Sequence, residues 1–78
     1  MTTLRQHRLR KVWTLRDLAR EAGVSQQSIV NAEAGKPLRL MTMRKLASAL
    51  EVDVWDVEEF AAALEAMGAE GEASKIAA

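Results

Sequence analysis

Apolar residues along the 78-residue chain return at intervals of three and four, and no stretch alternates as a strand would, so the pattern predicts an all-α domain. Leu4, with His7 or Leu9, marks a first helix over roughly 3–11. Leu15, Leu18, Ala19 and Ala22 mark a second over 15–22, with Thr14 as its N-cap, Asp17 completing a capping-box pair and Trp13 placed as a hydrophobic staple. Gly23 is the turn, since a residue just past a helix end often takes a positive φ that glycine adopts without cost. Ser25 caps a third helix, 26–34, which Gly35 and Pro37 terminate. Leu40, Met43, Leu46, Ala47 and Leu50 share one stripe of a fourth, 40–50. Asp53 caps a fifth, whose apolar positions Val54, Val57, Phe60, Ala61, Leu64 and Met67 run to Gly68. The expected organisation is one compact five-helix domain over 1–67 followed by a flexible acidic tail over 68–78.

Composition narrows the chemistry. A chain of this size buries only about 60% of its unfolded surface, so the core is small and stability marginal. Cysteine is absent and His7 is the single histidine, so neither a metal site nor a catalytic triad is expected, no cofactor is implied, and an enzyme is not the expectation. The acidic pairs Glu58 with Glu59 and Glu70 with Glu72 have the form of a solvated face. No segment approaches the ~20 apolar residues of a membrane span, and no apolar run follows the basic N-terminus. A cytoplasmic, nucleoid-associated protein is expected.

The net charge of zero conceals a division. Through residue 50, ten Lys and Arg face three Asp and Glu, 10 minus 3 giving +7; from residue 51 onward one Lys faces eight, 1 minus 8 giving −7. A cationic body suits a polyphosphate, since each phosphate neutralised releases condensed counterions. The same division also suits two halves that attract each other.

A helix, a three-residue turn at Gly23 and Val24, and a short helix with a polar start form the layout of a helix-turn-helix. Ala19 is small enough for a close crossing, and Ile29 anchors the third helix with Val24 and Ala32 assisting. With Ile29 inward, Gln26, Gln27, Val30 and Asn31 lie on the opposite side. Glutamine and asparagine can bond adenine N6 and N7 together, and valine can touch a thymine methyl, so this face carries the residue types that read A·T-rich base edges in a major groove. The plainer reading is an ordinary polar helix surface.

The segment LRDLAREAGVSQQSIVNAEAGKPLRLMTMRKLASALEV resembles the lambda-repressor-like helix-turn-helix family, the Cro/cI or XRE type, with LA, GVS, I, E, GK, LA and AL at family spacing from about Leu4 to Val57. SQQSI is similar to the segment of a phage repressor of this group whose paired glutamines read operator bases. The resemblance implies Gln26, Gln27, Val30 and Asn31 as the base-facing set and double-stranded DNA as the partner. It implies DNA-backbone contacts at Thr14 and Leu15, where helix N–H groups meet a phosphate, at Ser25 and Ser28, and at Lys36 and Arg39 in the following loop. It also implies an Arg8–Glu33 ion pair tying the first helix to the third. Leu15 departs from the pattern where a supporting glutamine is frequent, Glu51 where glycine usually ends the fourth helix, and Val30 and Ala32 make the recognition helix more apolar outside and smaller inside.

One small helix in a groove rarely gives enough affinity, so a homodimer on a palindromic operator is expected, with half-sites about 34 Å apart. Trp55 stands off the inward stripe of the fifth helix, as an interface residue or as a core residue over the open end of the domain. The stripe of Phe60, Leu64 and Met67 must dock somewhere, on a partner copy in preference to the domain's own body. The leading function is a sequence-specific DNA-binding transcriptional regulator, a repressor. The alternative is an antitoxin or protein–protein adaptor whose acidic C-terminal end occupies another protein. RNA binding has no stacking platform, since Trp13, Trp55 and Phe60 are scattered.

Overall fold

The computed structural model describes residues 2–77, with side chains described through Gly68. Helix α1, Leu4–Arg10, starts at a capping box: the Thr3 hydroxyl accepts from the Gln6 amide (3.1 Å), and the Gln6 side-chain oxygen accepts from the Thr3 amide (2.9 Å). Helix α2, Leu15–Ala22, starts at the expected Thr14–Asp17 box and ends on Gly23 in the left-handed region, φ 71°. Helix α3, Gln26–Glu33, starts at Ser25, whose hydroxyl accepts from the Ser28 amide (3.1 Å), and is followed by Gly35 at φ 82°. Helix α4 spans Leu40–Leu50.

The fifth element differs from the expectation. Asp53 caps not a helix but a single 3-10 turn, Val54–Asp56, after which Val57 is extended and α5, Glu58–Ala77, begins. Apolar spacing of three is common to a 3-10 turn and an α-helix, so the stripe runs on across the break. The flexible tail expected over 68–78 falls, beyond Gly68, outside the residues whose side chains are described.

All five helices converge on one core. Leu4 of α1, Leu18 of α2, Ile29 of α3, Met43 and Leu46 of α4, Val57 and Phe60 are almost entirely enclosed. Phe60 is 1% exposed and Leu64 is half-buried against the same cluster, which corrects their assignment to a dimer interface: the short core needs these side chains to close the end of the domain. Trp55, 51% exposed, stays outside. Leu40 is also exposed, because the first turn of α4 extends past the core. Of the two inward candidates on α1, His7 is buried and Leu9 is exposed.

Three bonds clamp α1 to the start of α5. His7 Nε2 donates to the Asp56 carbonyl (3.0 Å), the Leu4 amide donates to Glu59 Oε1 (2.8 Å), and the Glu58 amide donates to the Thr2 carbonyl (2.9 Å). Two further corners take a left-handed backbone without glycine: Val12 at φ 58°, between α1 and α2, and Glu51 at φ 60°, ending α4. Glu51 therefore ends α4 in the conformation that glycine would supply, and Lys11 Nζ lies 3.4 Å from its Oε1.

Candidate nucleic-acid interface

Helix α3 is held from one side. Ile29 and Ala32 are buried, and Glu33, one position further round, meets Arg8 of α1. Arg8 Nε donates to Glu33 Oε2 at 2.7 Å, Nη2 to Oε1 at 3.3 Å, and Nη1 to the Trp13 carbonyl at 2.9 Å. One guanidinium thus joins α1, the α1–α2 turn and α3, and the side chains of Arg8 and Glu33 are only 10% and 16% exposed. The ion pair implied by the resemblance is present, and it ties α1 to α3.

The other side of α3 is open. Gln26, Gln27 and Val30 are exposed and Asn31 is half-buried. Gln27 Nε2 donates to Asn31 Oδ1 at 3.0 Å, one helical turn away. That bond uses one of the two amide hydrogens, leaving the other hydrogen and the carbonyl oxygen of Gln27 to be presented together. Gln26 makes no side-chain hydrogen bond among the described residues, in keeping with Leu15, half-buried, standing where a supporting amide is frequent.

The expected DNA-backbone positions are less uniform. Ser25 and Ser28 share a hydroxyl bond at 2.9 Å at the start of α3. Lys36 and Arg39 are exposed in the loop between α3 and α4. At the start of α2 the Thr14 amide already donates to Asp17 Oδ2 at 3.0 Å, so of the two backbone donors expected there Leu15 is the one left open. That hydrogen bond from the Thr14 backbone, with the Thr14 hydroxyl bond and the Arg20 cation beside it, holds the Asp17 carboxyl below its ordinary 3.8 against an opposing push from partial burial. Arg20 Nη2 lies 3.2 Å from Asp17 Oδ1, so the one anion at the mouth of α2 is partly neutralised. The exposed amides of Gln26 and Gln27 and the exposed cations Lys36 and Arg39 are groups whose chemistry can meet the bases and phosphates of a nucleic acid.

Sequence reasoning missed Val12, which presents an 85% exposed apolar side chain from a left-handed corner directly before Trp13 and α2. Nothing in its residue type marks that conformation. Lys11 Nζ sits 5.2 Å from the Trp13 ring centroid, a cation–π contact that stiffens the same turn.

Residues 4–54, more than half of the chain, match the profile of a helix-turn-helix family of the Cro/cI, XRE type. The chain belongs to this helix-turn-helix family. No curated protein and no solved structure gives a match. Within the residues of this Cro/cI-type match, α2, the turn at Gly23 and α3 follow one another in helix-turn-helix order. The family consists of DNA-binding regulators. No helix among the described residues is long and apolar enough to cross a membrane.

Proposed function

We propose that this helix-turn-helix protein is a sequence-specific transcriptional repressor that inserts the start of α3 into the major groove of a palindromic operator, acting as a homodimer on cytoplasmic DNA. The observation that carries the reading is the division of α3: Ile29, Ala32 and the Arg8–Glu33 pair hold it from within, while Gln26, Gln27, Val30 and Asn31 are left to the outside. A helix whose exposed side serves nothing in its own domain, on a body carrying +7 through residue 50, has the chemistry of a base reader on a cationic support.

Gln27 reads adenine in this proposal. Its free carbonyl oxygen accepts from adenine N6, and its second amide hydrogen donates to N7. Asn31 acts mainly through Gln27, because its Oδ1 already fixes the amide plane. Gln26 adapts to a neighbouring base pair, and Val30 touches a thymine methyl. Arg39, Ser25, Ser28, the Thr14 hydroxyl and the Leu15 amide set register on the phosphates. Repression follows from occupancy, since a protein seated in the groove excludes polymerase.

The test is selection from a randomised duplex pool at near-physiological salt, followed by sequencing. A two-fold symmetric site with A·T pairs at fixed positions in each half supports the reading. Enrichment of nothing beyond a salt-sensitive background overturns it and turns attention to a protein partner for the acidic end.

A further inference from the structure

The corner at Val12 has no explanation inside the domain. A β-branched residue enters the left-handed region at a cost, and here, at φ 58°, it gains nothing from packing, since its side chain is 85% exposed. Glycine takes the same corner without that strain. The Val12 amide donates to the Leu9 carbonyl at 2.9 Å, which sets Val12 close to Leu9, itself 50% exposed. Arg5 lies one helical turn before Leu9 on the same face of α1. Beside this stripe, Thr2, Gln6, Leu9 and Arg10 line a shallow depression of about 540 Å³.

The charge around the stripe has one sign. Residues 1–16 hold five Lys and Arg and no acid. Arg8 and Lys11 are engaged on the inner side of α1, with Glu33 and Glu51, and Glu59 is met there by the Leu4 amide. Arg5 and Arg10 are exposed and form no ion pair within 4.0 Å among the described residues. We infer that the outer face of α1, with Arg5, Leu9, Arg10 and Val12, docks an acidic segment of another protein that carries bulky apolar side chains between its carboxylates. The apolar groups of that segment cover Leu9 and Val12, and its carboxylates reach Arg5 and Arg10 around them. A duplex backbone suits the two arginines but offers phosphates where Leu9 and Val12 need apolar contact. A second copy laying the same face against this one sets arginine against arginine. The assignment does not depend on base reading by α3, because all four residues belong to α1 and the corner that follows it.

The experiment selects peptides from a displayed library of random sequences on the immobilised full chain, then measures each enriched peptide against wild type, Val12→Gly, Leu9→Ser and Arg5→Glu. Melting curves verify folding, and Val12→Gly is expected to melt no lower than wild type, because glycine suits the corner. Enriched peptides are expected to interleave Asp or Glu with Leu, Phe or Trp, and each substitution is expected to weaken their binding roughly tenfold or more. Enrichment of nothing, or of basic peptides, overturns the assignment. Binding indifferent to all three substitutions also overturns it, and is what acidic peptides held by the DNA-facing side would show. Affinity for duplex DNA that falls in Val12→Gly and Leu9→Ser gives the face to DNA, and self-association lost in Val12→Gly gives it to a second copy; either result overturns the inference.

Discussion

The two sides of α3 are built by opposite rules. Inward, Ile29 and Ala32 are enclosed in the core, and Glu33 is fastened at two points by Arg8, so every group has a partner inside the domain. Outward, Gln26, Gln27 and Val30 contact little of their own chain, and the one side-chain bond there, Gln27 to Asn31, orients an amide without burying it. One helix thus divides a packed side from an open side within eight residues, which the proposed function assigns to stability and to recognition. Substitutions on one side should change folding and leave specificity alone, and those on the other should do the reverse.

The strongest break is Ile29→Ala, which leaves a cavity where a fully enclosed side chain anchors α3 in the core. A loss of roughly 2–5 kcal/mol is expected, a large share of the ~5–15 kcal/mol that a domain has in total, and chemical denaturation measures it directly. Glu33→Ala comes next. It strands a nearly enclosed guanidinium, and roughly 2–4 kcal/mol of stability should be lost, reduced from the fully buried case because both side chains keep some contact with water. A melting curve unchanged by Glu33→Ala contradicts a structural role for the pair.

Gln27→Ala sharpens the comparison from the outside. Stability should move by no more than about 0.5 kcal/mol, while affinity for the selected operator falls by about 1–3 kcal/mol. Asn31→Ala should cost less, about 0.2–0.5 kcal/mol through the lost brace, and should relax the same base pair as Gln27→Ala in a binding titration. Relaxation of a different base pair shows that Asn31 reads on its own account.

The smallest effect concerns the cap that starts α2. Asp17 is held below its ordinary value in the folded chain, so its contribution to stability is present above about pH 4 and is lost as pH falls through the lower, folded value. Asp17→Asn should flatten that acid limb of a stability–pH curve by lowering the melting temperature slightly at neutral pH, with little change from wild type below the folded value.

Much of this architecture was legible in the sequence where the signal is local. The bounds of α2 and α4, the caps at Thr14 and Ser25 and the turn at Gly23 follow from residue types whose backbone preferences are strong. The Arg8–Glu33 pair came from family resemblance, since 25 residues separate its partners and spacing gives no hint of it. The left-handed corners at Val12 and Glu51 were not legible as such, because neither a β-branched residue nor a glutamate announces positive φ. The clamp between α1 and α5 was missed for a related reason: Leu4 and Glu59 are separated by 55 residues, and a glutamate at a helix start reads as a solvated charge until the other helix end is placed beside it. Phe60 shows the same limit, since periodicity fixed its stripe but not which surface would cover it.

The central claim is that the outer face of α3 reads bases. The most direct measurement is the affinity of wild type and Gln27→Ala for the selected operator and for every single base-pair change within one half-site, at fixed salt. The account predicts that Gln27→Ala loses preference at one A·T pair and keeps the wild-type preference everywhere else. A uniform weakening across all sequences, with the same preference retained at every pair, contradicts it.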